Sequence, residues 1–237
     1  MDFSRAMRSF TDETDPDRWM KILIGGLVTL LSILVIPIPL VVGYQVEAMR
    51  RAGEGDDRLP AWDDWGGFFV KGLIAIVIQL VYALPVLLLA CCMLAGLGSA
   101  GAFDSRNAGQ QLSQGMTAFM ICLVCLMIPL GILASIAAPA ATYRYLERGD
   151  IGAAFNLGAV FGLIRARLGQ YLVAWLLAGI VLPLVASVLS SILCGLPLPW
   201  LNFLTGVMGY NLYGQALGLA TPAAPPTSEP LPLPTAY

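Results

Sequence analysis

The stretch GLIAIVIQLVYALPVLLLACCMLAGL, residues 72–97, decides the fold: it holds no Asp, Glu, Lys or Arg. A helix of about 20 apolar residues spans a hydrocarbon core about 30 Å thick, and this run exceeds that length. Outward from it, residues 22–46, 107–143 and 168–228 are equally free of charge. The 13 basic and 15 acidic residues all lie outside these stretches, Glu229 alone after the last of them. Soluble domains carry about 25% charged residues; this chain of 237 carries 12%, with a mean hydropathy of +0.78. A bilayer explains that separation, because an ionised side chain at its centre costs several kcal/mol. The reading is an all-α, polytopic transmembrane helical bundle.

About five spans are expected: Ile22–Tyr44, Gly72–Leu97, Met116–Thr142, Gln170–Leu193 and Pro199–Leu219. The last charge-free stretch is too long for one helix and breaks at Cys194-Gly195-Leu196-Pro197-Leu198-Pro199, where two prolines remove amide donors. Span five is Gly-rich and carries Asn202, Asn211 and Gln215. Domain bounds follow: 1–21 a polar N-terminal segment, 22–220 the helical domain, 221–237 a Pro-rich tail that should be extended and usable for docking. The N-terminal segment mixes acids with bases and leads into a 25-residue apolar run, which does not read as a cleavable signal.

Prolines stand inside several spans, at Pro37, Pro39, Pro85, Pro129, Pro139 and Pro183, and are expected to act as kinks that neighbouring helices re-satisfy. They also suggest a parallel two-span repeat, since Pro39-to-Tyr44 and Pro139-to-Tyr143 each precede a charged loop and a proline-bearing span. Basic residues mark loops 47–71 and 143–169 as cytoplasmic. Arg5, Arg8, Arg18 and Lys21 oppose this if Ile22–Tyr44 crosses once. Either those bases are carried across, or the segment enters and returns without crossing, which is cramped with Pro37 only ten residues before Glu47. A true crossing with the N-terminus outside is the expectation.

The composition removes much chemistry. Histidine is absent, so Ser-His-Asp and Cys-His sites are excluded in their ordinary form. With a net charge of −2 and no basic tract, nucleic acid is not an expected partner. Five cysteines lie in apolar stretches and read as small apolar residues. Cys122 and Cys125 share a helix face, but one C-x-x-C without histidine is a weak metal motif. No catalytic residue, metal or cofactor is assigned.

Segment 55–69 is the densest in polar and aromatic residues. Asp56, Asp57, Asp63 and Asp64 could hold Mg²⁺ against a phosphate, yet loop 143–169 offers no second acidic cluster. The structural reading is stronger: Trp62, Trp65, Phe68 and Phe69 suit the headgroup level, and Asp63 or Asp64 caps a short interfacial helix before span two. Trp62, Asp63, Asp64, Trp65 and Phe69 are the candidate interfacial and partner contacts. Asp150–Leu168 reads as one amphipathic helix in the headgroup plane. Arg144, Arg148, Arg165 and Arg167 around it are candidate contacts for anionic lipid. Gly158 and Gly162 are spaced for close helix contact. Gln79, Asn202 and Asn211 are the deepest polar groups and should bond between helices.

Gly43-Tyr44, Leu59-Pro60-Ala61-Trp62-Asp63-Asp64-Trp65-Gly66 and Phe69-Val70-Lys71-Gly72 together form a pattern. It resembles that of a domain-of-unknown-function family of multi-pass membrane proteins in bacteria and archaea. Ala153-Ala154-Phe155-Asn156, Arg167 and Tyr171–Trp175 resemble a second, looser signature of that family. The resemblance covers about residues 15–220 and implies fold and location, in the prokaryotic plasma membrane, without an activity. The leading functional expectation is a non-enzymatic accessory or scaffold subunit packing against membrane lipids and other membrane proteins, with the Pro-rich tail as one docking element. A transporter or channel component for an apolar solute, and a lipid-headgroup enzyme using the Asp pairs, are the alternatives.

Overall fold

The computed structural model describes residues 17–56, 58–99, 114–193 and 197–218. The Pro-rich tail, the first 16 residues, Asp57 and Cys194 lie outside them. Every regular element among the described residues is helical. We number them α1 (Arg18–Leu31), α2 (Ile38–Glu54), α3 (Trp65–Ser99), α4 (Gln114–Arg148), α5 (Ile151–Ala154), α6 (Leu157–Ala166), α7 (Leu168–Leu176), α8 (Leu182–Ile192) and α9 (Leu198–Gly218).

Among the described residues, three helices are long and apolar enough to cross a membrane: Trp65–Gly98, Thr117–Arg148 and Leu168–Ile192. The first two extend beyond their charge-free cores, to Lys71 and to Arg144–Arg148, and the third lies within its own. α3 and α4, with 35 residues apiece, reach about 52 Å at 1.5 Å per residue. Pro85, Pro129 and Pro139 stay within them. Around Pro183 the helix widens instead into a π-turn, Leu177–Val181, which joins α7 to α8. That wider turn makes room where the proline ring would press on the carbonyl four residues earlier.

The first expected span is not one helix. Ile22–Tyr44 breaks after Leu31 into a short 3₁₀ turn, Ser32–Leu34, and a tight reversal at Val35. Val35 has φ 66 and ψ −40, and the Ile36 N–H donates to the Leu34 carbonyl at 2.8 Å. This is the rare, strained form of γ-turn. Pro37 and Pro39, without N–H groups, begin the return helix, where a missing donor costs nothing. The two limbs, α1 and α2, form a hairpin whose ends meet. The Lys21 ammonium donates to the Leu59 carbonyl at 3.3 Å, and the Trp62 indole N–H donates to the Lys21 carbonyl at 3.1 Å. The single crossing expected there is therefore corrected. Lys21 lies beside loop 59–62, so its charge no longer opposes that loop's.

α9 is the hub. Phe203, Val207, Asn211, Leu212, Gln215, Ala216 and Leu217 are buried around its circumference, with α1, α2, α4, α7 and α8 against it. Its glycines set the distance to α2. A Cβ on Gly214 would lie 2.1 Å from the Met49 carbonyl oxygen, and one on Gly218 2.3 Å from that of Gly53. Small residues permit such backbone contact between membrane helices. Asn211 accepts from Gln215 at 2.8 Å, a bond within one helix rather than between helices. Asn202 is exposed.

The expected amphipathic helix Asp150–Leu168 is also divided. Asp150 caps α5 by accepting from the Gly152 N–H at 3.1 Å. Asn156 caps α6 by accepting from Ala159 at 3.1 Å. A second N-cap inside the segment restarts the helix, and Leu168 already belongs to α7. A Cβ on Gly162 would meet nothing within 4 Å, and one on Gly158 only the capping Asn156 side chain at 3.6 Å, so they bring no other helix close. The two halves related by the suggested repeat are built differently, a 17-residue hairpin limb against a 35-residue helix.

Candidate functional site: an interfacial clamp and a groove between the long helices

The signature residues converge on one cluster. Tyr44 is fully buried; its ring stacks on Trp62 at 4.3 Å and its hydroxyl donates to the Pro60 carbonyl at 2.9 Å. Phe68 and Phe203 pack against the same pair at 5.7 and 5.3 Å from Tyr44. Two glycines let the helices under this cluster touch. A Cβ on Gly43 would sit 1.8 Å from the Phe68 carbonyl oxygen, and one on Gly72 1.8 Å from that of Pro39. The pattern therefore holds α1, α2, α3 and α9 together.

Of the residues singled out from sequence, Trp62 turns inward and is half-buried, and Phe68 is buried. This corrects their reading as headgroup-facing rings. Trp65 and Phe69 are exposed. Asp64 caps α3 itself, accepting from the Gly67 N–H at 2.8 Å, so no separate interfacial helix precedes the span. Asp63 is exposed. Asp56 accepts from the Arg58 N–H at 3.0 Å and stands 3.9 Å from Arg51. The structure does not gather these carboxylates, and no group of three or more metal-ligating side chains occurs among the described residues. Cys91, Cys92, Cys122 and Cys125 are free and exposed. Arg148, Arg165 and Arg167 are exposed. Arg144 is mostly turned in, 3.3 Å from Glu147, with its Nε buried and unbonded.

One charged group was not singled out from sequence. Glu47 is 4% exposed and collects three cations: Arg50 at 2.6 Å, Lys71 at 2.9 Å and Arg51 at 3.4 Å. Burial by itself raises a carboxyl group's pKa, but hydrogen bonds from Arg50 and Lys71 and the attraction of both charges outweigh it. The Glu47 carboxyl is held down at about 2. The same hydrogen bond raises the Arg50 guanidinium above its ordinary value. The spacing Glu47, Arg50, Arg51, Glu54 at three and four residues was the available signal. Lys71, from the next helix, was legible only in three dimensions.

Below this charged layer, α3 and α4 diverge enough to leave clefts. One, of about 360 Å³, lies between them and the α5–α6 segment, lined by Val81, Tyr82, Pro85, Leu133, Phe155 and Phe161 among others. Its phenol is occupied, because Tyr82 donates to the Ala154 carbonyl at 2.7 Å. On another face, α3, α4 and α9 enclose a cleft of about 440 Å³ that includes Gln79, Ser135, Pro139, Tyr210 and Tyr213. Gln79 donates to the Tyr210 hydroxyl at 2.7 Å, the interhelical bond expected of it. A third cleft, of about 540 Å³, shares Val86, Gly131 and Ser135 with the second and is otherwise lined by Met93, Val124, Met127, Ile128 and Ile132.

Helices of membrane length with charge-free cores, an aromatic clamp and clefts between apolar helices define a helical membrane protein. The chain belongs to a particular family within that class: the model described as "Protein of unknown function (DUF4013)" matches residues 26–195. No curated protein and no solved structure matches the chain.

Proposed function

We propose that this protein is a non-enzymatic accessory or scaffold subunit of the prokaryotic plasma membrane, packing against membrane partners and lipids. One observation carries the reading. In the most apolar window of each of the three spans, only 11%, 6% and 17% of the residues are buried within the chain. Lipid or partner helices must cover the remainder, since exposed apolar area in water costs about 25 cal/mol per Å². The polar residues of the signature support the same reading, because Asp64, Tyr44 and Trp62 are engaged in holding helices. Arg148, Arg165 and Arg167 supply exposed positive charge for anionic headgroups, each contributing about 1 kcal/mol near such a surface.

The test is a photo-crosslinker at Leu184 or Val188, both on the exposed face of α8, activated in native membranes before mild detergent extraction. Discrete adducts to the same membrane protein from both positions are expected. Crosslinks to lipid alone, with a lone monomer on extraction, would overturn the subunit reading. A carrier of an apolar solute is the second reading, favoured by the continuous cleft between α3 and α4. It requires solute flux in proteoliposomes above that of empty vesicles.

A further inference from the structure

The second and third clefts are one groove with two ends of opposite character. They meet at Val86, Gly131 and Ser135. Gly131 makes the passage: a Cβ there would meet nothing within 4 Å. Along α4 the lining runs from Pro139 to Val124, about 22 Å at 1.5 Å per residue. That exceeds one leaflet's share, about 15 Å, of a core about 30 Å thick. The far end offers only apolar side chains and Met thioethers along its length, apart from Ser135 at the junction.

The near end is polar and uncharged. Tyr213 is 7% exposed, lines the groove, and its hydroxyl bonds to no described residue. It is not one of the buried side-chain atoms cut off from any partner, so it opens onto the groove, where an apolar surrounding favours a ligand that bonds to it. Gln79 spends its amide N–H on Tyr210, which leaves its carbonyl oxygen and the Tyr210 O–H for another group. Pro139 has no N–H, so the Ser135 backbone carbonyl lacks the donor four residues on. Donors and acceptors thus converge with no ionised side chain among them. A charged headgroup would sit there desolvated and unpaired. A hydroxyl, which both donates and accepts, fits.

We propose that the α3–α4–α9 groove binds a neutral lipid with a free hydroxyl head, its chain lying along Val86, Met93, Met127 and Ile128. The hydroxyl accepts from Tyr213 and donates to the Gln79 or Ser135 carbonyl oxygen. The cleft beside Tyr82 is a poorer candidate, because its phenol is already bonded.

The experiment uses the full chain in phosphatidylcholine nanodiscs with a diazirine-bearing hexadecanol as the probe. Saturable labelling on α3 and α4 is expected, competed by oleyl alcohol. Oleyl methyl ether, which cannot donate, and ionised oleate should compete about tenfold less well, the worth of about one hydrogen bond. Tyr213→Phe removes only an oxygen and should weaken labelling by a similar factor. Gly131→Leu starts from a Cβ that would meet nothing within 4 Å, fills the passage and should abolish labelling, with gel filtration confirming the fold. Equal competition by the methyl ether, stronger competition by oleate, or full labelling of the Gly131→Leu variant would each overturn the proposal. So would chain-to-chain crosslinks through α3 and α4 in place of probe adducts, which would assign the groove to a second copy. None of these outcomes depends on whether partners are found at α8.

Discussion

Glu47 stands where the α2 end, the start of α3 and the charged loop meet, and its environment turns pH into stability. Its carboxyl is held at about 2 against an ordinary 4.5, so the folded state binds its proton more weakly than the unfolded chain. The stabilisation is complete above 4.5 and is lost as pH falls toward 2. Thermal unfolding in detergent should show a melting temperature that drops over that window. Glu47→Gln should flatten that part of the profile and cost about 3 kcal/mol at neutral pH, because Arg50, Arg51 and Lys71 then crowd a neutral amide. A wild-type melting temperature unchanged between pH 5 and 3 would contradict the assignment. Among the aromatic residues, Tyr44 has no comparable freedom: its ring and its hydroxyl are both committed.

At the scale of elements, close helix approach separates glycines that matter from those that do not. Gly72→Ala should push α3 from α2, since its Cβ would fall 1.8 Å from the Pro39 carbonyl oxygen and 2.6 Å from the Gly43 nitrogen. Overpacking of that kind costs about 1–3 kcal/mol or more, and backbone atoms cannot rotate away as a side-chain end can. Gly179→Ala, on the π-turn with nothing within 4 Å, should leave the melting temperature unchanged or slightly raised. The reverse holds at the hairpin tip. Val35 is a β-branched residue at φ 66, a region that costs L-residues roughly 1–2 kcal/mol and glycine almost nothing. Val35→Gly should therefore stabilise by about 1 kcal/mol, read by the same melting measurement; destabilisation would argue against the turn.

For the whole molecule, the hairpin fixes which parts of the chain share a side. Lys21 bonds to the carbonyl of Leu59 and accepts from Trp62, so the start of α1 and loop 55–64 face the same compartment. A protease site inserted at Gly55-Asp56 and a tag before Met1 should both be cleaved from one face of sealed, oriented vesicles. Cleavage from opposite faces would restore a single crossing for Ile22–Tyr44 and overturn the hairpin.

The sequence by itself determined that this is a helical membrane protein, and it located four of the helices that matter. Lipid-facing side chains must be apolar wherever they sit, so residues 72–97, 116–142 and 170–193 announce themselves without any knowledge of their neighbours. Span five was the least distinct in sequence because α9 touches protein on nearly every side, and hydropathy reports contact with lipid rather than depth in the bundle. What only the tertiary structure decided depends on partners distant in the chain. A γ-turn folded one apolar run into two limbs, since bonds from Lys21 and Trp62 hold their ends together across about 40 residues. Lys71 reached Glu47 from another helix. Tyr213, Gln79 and Ser135, from three helices, met at one end of a groove. Apolar burial is a property each segment carries alone; convergence of polar groups exists only after the segments have packed.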